Sequence, residues 1–135
     1  METEFFDILI TEKPLEILPA KLQPDAGAIV EFFGVVRKLE NGTEIAGIEY
    51  EANLEMTAHQ FRRLAQEASE KFAFAELVLH HRVGFVPVSE PSLFVRVTAG
   101  HRGPAFAACQ WIIDSLKEIA PIWKHPISDR VSTSP

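Results

Sequence analysis

Twice along this chain the spacing of apolar residues changes period, and that change constrains the fold more than any other feature. Leu77, Leu79 and His81 alternate with Val78, His80 and Arg82, and Leu93, Val95 and Val97 alternate with Phe94, Arg96 and Thr98. This is the two-residue repeat of β-strands. Leu54, Ala58, Phe61, Ala65, Ala68 and Phe72 instead recur by fours and threes, one stripe of a helix that Asn53 is placed to cap. A second stripe, Phe106, Cys109, Ile113, Leu116 and Ala120, lies between Gly103-Pro104 and Pro121. Gly103-Pro104 supplies an N-cap and a first-turn proline, and Pro121 stops the helix.

The first half of the chain reads as strands. Phe5 to Ile10 is a short β-prone run, followed by a proline-punctuated stretch from Lys13 to Pro24 with room for a turn or two of helix. After the turn chemistry of Pro24-Asp25-Ala26-Gly27, Ala28 to Val36 forms a strand that Gly34 interrupts as a bulge or close approach would. Asn41-Gly42 between that strand and Ile45 to Tyr50 predicts an antiparallel hairpin. The order strand, hairpin, helix, strands, helix, tail describes an α+β protein, two main helices packed on a mostly antiparallel sheet. At 135 residues, a single domain over 1–135 is expected.

Charge narrows the function. Thirteen Lys and Arg against 19 Asp and Glu give a net charge of −6, the wrong sign for a non-specific nucleic-acid or anionic-membrane binder. The longest apolar runs are strand-sized, too short for a membrane helix. The start of the chain is acidic where a secretory signal is basic, and Cys109 is a lone cysteine, so a soluble cytoplasmic protein is expected. Cys109 falls on a helical apolar stripe, as a buried inert thiol does. Five histidines occur without a His-Glu-x-x-His or Cys-x-x-Cys spacing, and adjacent His80 and His81 point to opposite faces of a strand, so no metal site is expected.

Cations at element ends are the remaining chemistry. His101 and Arg102 stand where a strand feeds a helix N-terminus, a seat for an anion. Arg37 ends a strand. Lys117 occupies a last helical turn, where the helix dipole alone would also select a lysine. Lys124 follows Pro121-Ile122-Trp123, a stretch too apolar for a free tail, so its stem is expected to be held. An acidic protein that gathers five such groups in one cleft would do so for an anionic ligand.

These residues resemble a known family, the large catalytic subunit of molybdopterin synthase. The matching pieces are Phe33-Gly34-Val35-Val36-Arg37, Ile48-Glu49-Tyr50-Glu51, Met56 with Glu67-Ala68, His81-Arg82-Val83-Gly84, His101-Arg102 with Ala105-Phe106, and Asp114-Ser115-Leu116-Lys117 with Pro121-Ile122-Trp123-Lys124. The last block is the most specific. The resemblance implies an α/β hammerhead fold and a homodimer at the centre of a heterotetramer, with a ubiquitin-like small subunit on each protomer. It also implies a sulfurtransferase that converts cyclic pyranopterin monophosphate to molybdopterin. Two sulfurs arrive on the small subunit's C-terminal thiocarboxylate, and no cofactor is needed.

Carried over by motif, Lys117 takes the proton-transfer and tail-contact role and Lys124 anchors substrate and stabilises charge. Arg37, His101 and Arg102 bind the phosphate and pterin end. Family members commonly carry further basic residues beyond the Trp-Lys block, a part for which Arg130 is the stand-in here. Two rivals predict different behaviour. A non-catalytic module would bind a ubiquitin-like tail without turnover, and an anion hydrolase using His101 and Lys117 would release phosphate with no partner.

Overall fold

Both helices form where the three- and four-residue spacing puts them, but each is rotated from the expected stripe. In the computed structural model, which describes residues 5–119 and 122–128, helix α1 runs Leu54–Lys71 and helix α2 runs Arg102–Ile119. The Asn53 side chain caps α1 by accepting a hydrogen bond from the Met56 N–H at 2.9 Å. Thr57 and Leu64 join Phe61, Ala65 and Ala68 on its buried face, whereas Leu54 is 44% exposed. Helix α2 begins at Arg102, so Gly103 lies inside the first turn and does not cap it. Its buried face is Ala105, Ala108, Cys109, Ile112 and Leu116, with Phe106 turned outward. Ala120, Pro121 and Arg130 lie outside the described residues.

The strands are β1 Phe5–Thr11, β2 Ala28–Val35, β3 Leu39–Glu40, β4 Thr43–Ala52, β5 Glu76–Arg82, β6 Gly84–Pro87, β7 Pro91–Ala99 and β8 Ile122–Ser128. They form two sheets. The larger has the order β1-β5-β7-β2, with β1 parallel to β5 and the other pairs antiparallel. Gly34 does mark a bulge, since the register of β2 against β7 shifts between Gly34 and Val35. In the smaller sheet β4 is central, paired with β6 and β8 over the same residues and so flanked by them.

The hairpin at Asn41-Gly42 is present, with φ of 52° and 80° at the two turn residues, the left-handed pair such a turn requires. Its first arm differs from expectation. The two-residue β3 pairs with β4, while β2 belongs to the other sheet. A hairpin signal fixes which residues turn; it does not say how far the incoming strand stays paired. The stretch from Lys13 to Pro24 holds no helix. It is tied down by buried Arg96, which donates to the Leu18 carbonyl at 2.6 Å and to Glu31 at 2.7 Å.

Two apolar clusters result. The main one packs Phe61, Leu64, Ala65 and Ala68 of α1 and Ala105, Ala108 and Ile112 of α2 onto Leu77, Leu79, Val95 and Val97. The smaller one gathers Val36, Ile45, Ile48, Tyr50, Val83 and Val86. Ile10 and Ile122 pack against both. The chain passes from β5 of the large sheet to β6 of the small one through Val83 and Gly84, whose φ of +82° suits glycine. The seam between the sheets is where a cavity opens.

Candidate active site

A cavity of about 440 Å³ lies at this seam. Phe32, Gly34 and Val35 of β2 and Ser92 and Leu93 of β7 line it from the large sheet, with His81 at the end of β5. Tyr50 comes from β4 and Phe61 from α1. Ile113, Leu116 and Lys117 from the last turns of α2, and Ile122 and Lys124 from β8, complete it. Phe61, His81, Tyr50 and Ser92 are buried and make the floor, while Lys117 and Lys124 are exposed and make the rim.

The two lysines meet for separate local reasons. Lys117 ends α2, where its charge complements the helix dipole. Lys124 sits on β8 in register with Tyr50 of β4, so sheet pairing, which the sequence did not disclose, holds its backbone beside the cavity. Neither amine has an ion-pair partner, and no carboxylate lines the cavity, among the described residues. In a chain of net charge −6, the pair makes this hollow electropositive, which a second one of comparable volume among the described residues is not. The other, about 490 Å³ between β1 and α1, sets Arg62 against Asp7 and takes in none of the expected residues.

Three of the five expected cations are elsewhere. Arg37 lies in the loop after β2, exposed, two residues beyond the lining residue Val35. His101 and Arg102 are exposed at the start of α2. Fifteen residues at about 1.5 Å rise each separate Arg102 from Lys117 by roughly 22 Å. Within one chain they do not share the lysines' cavity.

Three floor residues had no assigned role in the sequence reading. The Tyr50 and Ser92 hydroxyls share a hydrogen bond of 3.0 Å, and burial above all raises the Tyr50 pKa, against the Ser92 bond that lowers it. His81 Nδ1 lies 2.8 Å from the Arg82 carbonyl. Burial first lowers the His81 pKa to about 4; the Arg82 bond opposes this and the charge of Lys124 adds to it. Its signal was present in the strand pattern: His81 shares the inward face of β5 with Leu77 and Leu79, where a polar side chain needs a reason.

His81 also links stability to pH. Its folded pKa lies below the ordinary 6.5, so below pH 6.5 the unfolded chain takes a proton that the folded chain refuses. Stability is therefore lost as pH falls from 6.5 towards 4, by about 3 kcal/mol at most. Urea unfolding at pH 7 and 4.5 should show a steeper loss in the wild type than in His81→Asn. Equal losses would mean that the imidazole is not held neutral.

Paired amines at the mouth of a hollow with a neutral polar floor, between a helix end and a strand, make an arrangement chemically suited to an anionic ligand. The chain belongs to the MoaE protein family, whose model matches residues 10–119. It is 42% identical over 121 residues to the molybdopterin synthase catalytic subunit of Thermoplasma volcanium, covering 87% of this chain and 88% of that one. To the human molybdopterin synthase catalytic subunit it is 35% identical over 118 residues, covering 87% of this chain and 63% of the human one. The crystal structure of molybdopterin synthase from Staphylococcus aureus superposes with a TM-score of 0.80 at 28% identity, over 95% of this chain and 94% of that one. The α+β arrangement expected from the sequence is thus that of the family.

Proposed function

We propose that this chain is the catalytic subunit of a molybdopterin synthase, a cytoplasmic sulfurtransferase acting as one domain over 1–135. The observation that carries the reading is the meeting of Lys117 and Lys124 at one cavity without a carboxylate. A C-terminal thiocarboxylate is a thin anionic tail, and two unpaired amines at a rim suit it. Cys109, buried among apolar residues with its pKa raised by burial, is no sulfur carrier, so sulfur comes on a partner, the ubiquitin-like small subunit. No helix among the described residues is long and apolar enough to cross a membrane, in keeping with a cytoplasmic site of action.

In this mechanism Lys117 and Lys124 neutralise the incoming thiocarboxylate and the cyclic pyranopterin monophosphate. The sulfur attacks a side-chain carbon of the pterin, forming a carbon–sulfur bond while a carbon–oxygen bond breaks. Lys117 gives the departing oxygen its proton, and Lys124 holds the developing charge. Water then cleaves the acyl–sulfur bond, which returns the tail as a carboxylate and leaves the sulfur on the pterin. A second transfer completes the dithiolene. Arg37, His101 and Arg102 take the phosphate side. The roughly 22 Å along α2 makes a second copy the source of His101 and Arg102, which the homodimer within a heterotetramer supplies.

Single-turnover reaction of the chain with thiocarboxylated small subunit and cyclic pyranopterin monophosphate tests this. Dithiolene product is the expected result. Tight complex formation without product would overturn the enzyme reading in favour of a non-catalytic module, and phosphate release without the small subunit would favour a hydrolase.

A further inference from the structure

The roles given to the lysines leave the floor of the cavity unused. Its one histidine is His81, 8% exposed yet lining the hollow. A carbonyl only accepts, so the 2.8 Å contact to the Arg82 oxygen assigns the ring proton to Nδ1. Nε2 is left as a bare acceptor, and it has no hydrogen-bond partner among the described residues. Although the residue is buried, Nε2 itself is not sealed off, so a donor entering the cavity can reach it.

The ring is also fixed in place. Tyr50 meets it edge-on at 5.2 Å between centroids and Phe61 at 6.3 Å, and the bond to Arg82 prevents a flip without loss. With its pKa near 4, about one ring in a thousand is charged at pH 7, so His81 neither binds anions nor stores a proton. What the floor can receive is an uncharged group that donates.

We propose that His81 contacts the substrate directly, Nε2 accepting a hydrogen bond from a ring N–H of an uncharged nitrogen heterocycle and seating that end of the molecule beneath Lys124. The inference rests on the molybdopterin synthase reading and names a contact that it leaves open. The hydroxyls of Tyr50 and Ser92 are joined to each other, and beside them Nε2 is a floor acceptor with no hydrogen-bond partner among the described residues. A fixed acceptor discriminates: a ring lacking the N–H leaves Nε2 buried and unpaired.

His81→Asn is the informative variant, because the Asn amide can still donate to the Arg82 carbonyl from the Nδ1 position while Nε2 is gone. Affinity for cyclic pyranopterin monophosphate is expected to fall roughly 10- to 100-fold, with affinity for inorganic phosphate unchanged. Equal pterin affinity in the variant and wild type overturns the proposal while leaving the sulfurtransferase reading intact. A wild type that binds no pterin overturns both.

The wild-type protein provides a second test that does not depend on the variant folding. With ¹⁵N-labelled histidine, the Nε2 resonance of His81 should move upfield on adding the pterin, as acceptor nitrogens do, while Nδ1 stays. A purely structural histidine would show no such shift, and that outcome would also overturn the proposal.

Discussion

Lys117→Ala is expected to lower the single-turnover rate of sulfur transfer by at least ~10²-fold, the scale of losing a positioned proton donor and charge stabiliser together. Its fold should survive. Lys117 is exposed and has no ion-pair partner among the described residues, so stability loses the helix-dipole contribution, about 0.3–1 kcal/mol. Lys117→Arg separates the two duties. A guanidinium keeps the charge but does not give up a proton near neutral pH, so affinity for the thiocarboxylated tail should recover while the rate stays low. Stopped-flow single turnovers with tail binding measured alongside check both. A near-normal rate in Lys117→Ala would remove the central assignment.

How the lysines come together shows what could be read from the sequence and what could not. Elements with a periodic apolar face were legible: β5, β7, α1 and α2 each follow from it, although Val78 of β5 and Phe94, Arg96 and Thr98 of β7 show that both strands are buried on their second face as well. The capping of α1 by Asn53 was legible for the same local reason. Pairing between distant segments was not. β6 has only four residues bounded by Gly84 and Pro87, too few to show alternation. β8 contains four exposed residues in a row, Trp123, Lys124, His125 and Pro126, and reads as a tail until β4, some 70 residues earlier, is seen beside it. That pairing puts Lys124 opposite Tyr50. The motif thus identified both lysines, whereas their convergence depended on a contact with no local signature. The distance of His101 and Arg102 from the cavity has another cause: an 18-residue helix carries its two ends too far apart for one pocket to use both.

Phe61→Ala should give the opposite pattern, a large loss of stability together with a damaged floor. The ring is 0% exposed, belongs to the main apolar cluster and also lines the cavity. Truncating a buried Phe costs about 3–5 kcal/mol, a large share of the 5–15 kcal/mol that holds such a chain together. For a chain of this size the melting temperature should drop by roughly 10–20 °C. Binding should weaken too, because Phe61 is one of the two rings that hold the His81 imidazole, and its removal lets both the ring and water move where the heterocycle sits. Phe61→Leu retains most of the volume and should recover most of the melting temperature, but not the edge-on aromatic contact, so pterin affinity should recover less. Calorimetric melting and pterin titration of the two variants measure these effects separately. If pterin affinity returned in full with stability in Phe61→Leu, the aromatic contact would have no part in holding His81, and the floor would owe its shape to packing volume alone.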